Sequence, residues 1–194
     1  MRWDRLVDDL SAQLDAELAA DDRALVGDLT RAEQATVTLA ARLAGARGSA
    51  VSVRACGGGD RGGAGAEAWA GSDLRVSGVV AAVAHDWVVL DVAGRGHLLP
   101  LAAVAVVEGL GPAAVDVPAR PGASLAAVLR GVMRDRQAVE VRTGAAVLRG
   151  RVARVGRDHL DVEQVGLDGV RPTGSRASVA FSSLVCVNET VPGG

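Results

Sequence analysis

At 194 residues the chain is long enough for one ordinary domain or two small ones. Hydrophobic residues make up 49% of it, mostly Ala, Val and Leu, with no Tyr, one Phe and three Trp, so any core is aliphatic and built of small units. The formal net charge is −2, all 21 basic residues are Arg, and no stretch reaches the roughly 18 uncharged apolar residues of a membrane helix.

The segment closest to such a helix, VVAAVAHDWVVLDV, is interrupted by His85, Asp86 and Asp91, so a soluble chain without a membrane partner is expected. The acidic opening MRWDRLVDDL does not read as a signal peptide. Cys56 and Cys186 cannot build a disulfide framework, and two free thiols point to a reducing cytoplasm. Abundant Ala, Gly and Arg without Lys reads as the amino-acid bias of a GC-rich genome. Charge is unevenly spread: residues 1–47 carry −3, residues 48–111 carry −2 and residues 112–194 carry +3. An acidic head and a basic tail suit a charged partner, or each other.

Trp3, Leu6, Val7, Leu10, Leu14 and Leu18 form one stripe at the helical period, which predicts a helix over 3–20. After DDRALVG a second helix is expected at Thr30, where Glu33 completes a capping box, running through Val37, Ala40 and Leu43 to Gly45 or Gly48. The two helices pair as a hairpin, or the first lies across the body of the protein; the hairpin is the reading adopted.

Three blocks then recur in the same order. Ala50-Val51-x-Val53-Arg54 matches Ala138-Val139-x-Val141-Arg142. Gly78, Val83, Asp86 and Leu90 fall on Gly150, Val155, Asp158 and Val162, and PLAAVAVV (100–107) falls on AFSSLVCV (180–187). Each unit reads as a short helix and about five strands, the second helix beginning after Ser124, a natural N-cap. Gly78 and Gly150 sit inside strands, where glycine permits a bulge or bend. Such bent strands close small barrels.

Gly57, Gly59 and Gly62 fit a G-x-G-x-x-G phosphate loop, but that motif needs a helix N-terminus directly afterwards. Here GAGAEAWAGSD leads to another strand, and the second unit makes the same turn with only TGA. The run is therefore read as an insertion, 55–73, at a hairpin tip, with Trp69 folding back onto the barrel or meeting a partner.

A short helix followed by a five-stranded bent barrel resembles the Sm-like or SH3-like small barrels. The glycine-to-aspartate rhythm of Gly78 with Asp86, and of Gly150 with Asp158, is similar to Sm-like strands two and three, and RGHLLPL (95–101) is similar to their Arg-Gly motif. Neither DWVVL nor DHLDV carries the Asn of RNA-binding Sm proteins, so the resemblance implies the fold and not the RNA site. The whole chain, with its MRWD opening, also resembles a family of uncharacterised actinobacterial proteins, which implies no particular activity.

The expected fold class is α+β: an N-terminal helical hairpin followed by two repeated helix-plus-five-strand small barrels. The expected organisation is a helical segment 1–47, a first barrel 48–111, a linker 112–123 and a second helix plus barrel 124–191.

Chemistry is sparse. His85 and His159 lie next to Asp86 and Asp158, yet no activated nucleophile accompanies them, and a turn Asp bonding its own backbone accounts for both carboxylates. His and Cys spacing fits no zinc site, and no Ser sits in a nucleophile elbow. No enzyme, cofactor, metal or small-molecule substrate is expected. The strongest feature is the arginine cluster Arg130, Arg134, Arg136, Arg149, Arg151, Arg154 and Arg157, with Trp87 as a candidate stacking platform opposite Val88 and Leu90. The reading adopted is a cytoplasmic, non-enzymatic adaptor acting through contacts with another protein or with itself. The alternative is an accessory protein that binds RNA or DNA through the arginines.

Overall fold

The computed structural model describes residues 35–56, 74–166 and 172–190. The chain falls into two compact units, 1–38 and 39–194, and every element named below belongs to the second. Helix α1 (Leu39–Gly45) leads into β1 (Ala50–Ala55), β2 (Leu74–Val83), β3 (Trp87–Val92), β4 (Arg95–Pro100), a 3-10 turn (Leu101–Ala103) and β5 (Val104–Glu108). Helix α2 (Leu125–Asp135) is followed by β6 (Ala138–Thr143), β7 (Val147–Val155), β8 (His159–Val165), β9 (Pro172–Ala180), a second 3-10 turn (Phe181–Ser183) and β10 (Leu184–Glu189).

All ten strands lie in one sheet, in the order β5-β1-β2-β3-β4-β10-β6-β7-β8-β9, and every neighbouring pair is antiparallel. The expected helical hairpin followed by two separate small barrels is thereby corrected. β4 pairs with β10, Leu98 opposite Val187 and His97 opposite Asn188, and this seam fuses the two sets of strands into a continuous sheet. The physical reason is that a strand edge presents backbone donors and acceptors that any other strand can satisfy, whatever its side chains. The expected helix over 3–20, and the start of the next at Thr30, lie outside the described residues.

The strand order of β1–β5 is reproduced in β6–β10, and the registers coincide except for a further shift between Glu163 and Val165 in the β8–β9 pairing. Val51 faces Gly78 as Val139 faces Gly150. The β2–β3 pairing shifts between Val80 and Ala82 as the β7–β8 pairing shifts between Val152 and Arg154. A third shift, between Arg54 and Ala55 on β1, has its counterpart where β6 meets Leu184 and Cys186. The two strand glycines are sterically required. A Cβ at Gly78 would collide with the Asp91 carbonyl oxygen, and one at Gly150 with that of Glu163.

Two apolar clusters form, and the middle strands feed both. β3 sends Val88 and Leu90 into the first cluster and Trp87 and Val89 into the second; β4 divides Leu99 from Leu98 in the same way. On β10, Val185 and Cys186 join the first cluster while Leu184 and Val187 join the second. Because side chains alternate along a strand, such a double commitment needs apolar residues at successive positions, which VVL, LLP and LVCV supply. Helix α2 packs the stripe Leu125, Val128, Leu129, Val132 and Met133 on the second cluster.

Ala55 pairs with Leu74, so the glycine-rich run joins β1 to β2 across a hairpin end, and the next described element is a strand. Residues 57–73 themselves, Trp69 included, lie outside the described residues. Among the described residues no helix is long and apolar enough to cross a membrane.

Candidate binding surfaces

The seam carries a polar row. Register places His97 on β4, Asn188 on β10, Glu140 on β6 and Arg149 on β7 side by side, and laterally paired residues share a face. Glu140 is buried and accepts from Arg142 Nε at 2.8 Å and Arg149 Nε at 3.1 Å. Burial acts to raise the Glu140 carboxyl, but the two guanidiniums outweigh it and hold the group below its usual value. His97 is shifted down, chiefly because burial disfavours the imidazolium; Arg142 and Arg95 add to this, while Asn188 and Glu140 oppose it. The Cys186 thiol donates to Asn188 Oδ1 at 2.7 Å, and burial pushes it up to about 12. Beside this row a cavity of about 180 Å³ opens between α2 and the seam, its walls mostly aliphatic, with Asp135 and Glu189 also lining it.

The arginine cluster divides. Arg134 and Arg136 at the end of α2 and Arg151 on β7 line one open cleft of about 530 Å³, together with Glu163. Arg136 caps the helix in the left-handed region, φ 51°, which turns the chain sharply into β6. Arg130 is exposed on α2, and its carbonyl accepts from Arg134 Nε. Arg149 is committed to Glu140, along with Arg142, which the sequence reading did not single out. Arg154 lies opposite Asp161 in the β7–β8 register, and exposed Arg157 is in the turn beside Asp158. Trp87 is no open platform: the indole donates to the Ala123 carbonyl at 2.8 Å and packs against the second cluster.

The two His-Asp neighbours have different roles. Asp86 Oδ2 accepts from Leu125 N at 2.9 Å, so a turn of the first half caps the helix of the second, next to Ser124, whose hydroxyl accepts from Ala127 N. His85 lies 3.6 Å from the other oxygen of Asp86. Asp158 instead points outward, 87% exposed, with His159 Nδ1 2.9 Å from its Oδ1; that hydrogen bond draws the carboxyl below its usual value. Asp158 also bonds its own backbone, as expected of a turn aspartate, whereas Asp86 is turned to the helix instead. The carboxylates do different work because only Asp86 has a helix beside it.

Among the described residues, the two ends of the sheet are strands paired on one side only. β5 pairs with β1, and β9 with β8. The contrast between corresponding strands is sharp. Leu184, Val185, Cys186 and Val187 of β10 are all buried, whereas on β5 Ala105 is exposed and Val106 is 43% exposed. No sequence motif marks this surface; the signal available was the apolar run VAVV in a strand that ends the sheet.

Compared with known proteins, the chain matches no protein-family model and no curated protein sequence.

Proposed function

We propose that the chain is a non-enzymatic binding protein of the cytoplasm, acting by contact with another polypeptide at the open β5 edge of its sheet. The observation that carries this reading is the exposure of Ala105 and Val106, whose counterparts on β10, Val185 and Cys186, are buried. An added strand would satisfy the outward backbone groups of β5 and cover its valines, the recognised mode of β-strand addition. Two free thiols, Cys56 and Cys186, support a reducing compartment.

A second reading, contact with RNA or DNA, is supported by the convergence of Arg134, Arg136 and Arg151 on one cleft. Paired variants separate the two. Val106→Arg blocks the edge and should abolish recovery of a stoichiometric protein partner that survives nuclease, while Arg134→Glu/Arg151→Glu should leave that recovery intact. If instead the double glutamate variant alone loses its partner, and binding weakens steeply with salt, the nucleic-acid reading replaces the first.

A further inference from the structure

We infer that the strand added to β5 is β9 of a second copy of this chain, so that copies associate head to tail through the same junction that each already contains. This rests on the reading of β5 as a binding edge and names its partner. The molecule holds one instance of the contact: β4, fourth strand of the first half, pairs with β10, fifth strand of the second. The strands left over are the same two kinds. β9 is the fourth strand of the second half, and β5 is the fifth strand of the first.

Register transfers residue by residue. Leu98 faces Val89 as Ser178 faces Asp161, and His97 faces Leu90 as Ala177 faces Val162. On the other side, Val106 meets Arg54 as Cys186 meets Arg142, and Val107 meets Val53 as Val187 meets Val141. The seam pairs Val187 with Leu98 and Asn188 with His97; its transferred form pairs Val107 with Ser178 and Glu108 with Ala177 of the next copy. Charge favours this direction: residues 48–111, which present β5, carry −2, and residues 112–194, which present β9, carry +3.

β9 has Ser178 where β4 has Leu98, and its exposed residues are mostly Thr, Gly, Ser and Arg. That composition lets the edge stand in water when unpaired. The intermolecular junction is accordingly weaker than the internal one and reversible. Because the contact joins unlike edges, it is heterologous and propagates until it closes.

Sedimentation of the full chain over a wide concentration range, with a disulfide trap, tests this. The expected result is a mass that rises with concentration to two chains and beyond, and a Val106→Arg variant that stays at one chain with an unchanged melting temperature. In a Cys56→Ser background, Glu108→Cys/Ala177→Cys should give a ladder of covalent multimers on oxidation, while Glu108→Cys/Thr173→Cys should not. A wild-type chain that is monomeric throughout overturns the inference. If that monomer still binds a different protein and loses it in Val106→Arg, the edge reading stands and only the choice of partner falls. A monomer destabilised by Val106→Arg would show that the chain's own residues cover β5, and both would fall. Association that survives Val106→Arg without the in-register crosslink also overturns the inference.

Discussion

Single side chains explain how the second half is fastened to the first. Asp86 sits in the β2–β3 turn yet satisfies one of the four unpaired N–H groups that open α2, and it places negative charge where the helix dipole favours it. Replacing it with Ala should cost about 1 kcal/mol of unfolding free energy, and with Asn noticeably less, as read by urea denaturation. The cysteines make a second residue-scale expectation. Cys186 is buried with its thiol pushed up to about 12, so it is almost wholly un-ionised at neutral pH and inaccessible, whereas Cys56 is half-buried. Native protein should alkylate at Cys56 alone, with Cys186 reacting only after denaturant; mass spectrometry of the labelled chain checks this. Eight arginines lie between residues 130 and 157, but their positions along the chain could not tell that Glu140 holds two of them, Arg142 and Arg149. A buried partner is visible only once the strands are paired.

At the scale of elements, the seam between β4, β10 and β6 is where stability should respond to pH. His97 is held below its usual value of 6.5, so as pH falls through that value the unfolded chain takes up a proton before the folded one, and folded stability declines. Glu140 is held below its usual 4.5, so its contribution is full above that value and is lost as pH falls through the lower, folded one. Urea midpoints should therefore drop in two stages. His97→Asn should flatten the first, and Glu140→Gln the second at the cost of leaving Arg142 and Arg149 without their anion. The strand glycines belong to this scale too. Gly78 and Gly150 were legible in the sequence because a strand position with the neighbouring strand's carbonyl pressed against the α-carbon admits no other residue.

For the whole molecule, one continuous sheet with two clusters fed by shared strands implies a single cooperative unit for residues 39–194. Calorimetry should give one transition for this unit with matching calorimetric and van't Hoff enthalpies, where two independent barrels would give two transitions. Cutting the seam with Leu98→Asp should lower the melting temperature of the entire unit, since Leu98 packs in the second cluster although it is carried by a strand of the first half.

The sequence by itself determined the alternating strands and the matching order of the two halves, because alternation acts between residues close along the chain. Only the tertiary structure decided that β4 would meet β10, that Asp86 would cap a helix 39 residues away, and that β5 would be left open. The joining of β4 to β10 and the open edge of β5 depend on backbone hydrogen bonds at strand edges, and the cap on how the turn and helix are brought together. Every residue except proline offers the same donor and acceptor there, so no side-chain pattern marks which edges will join.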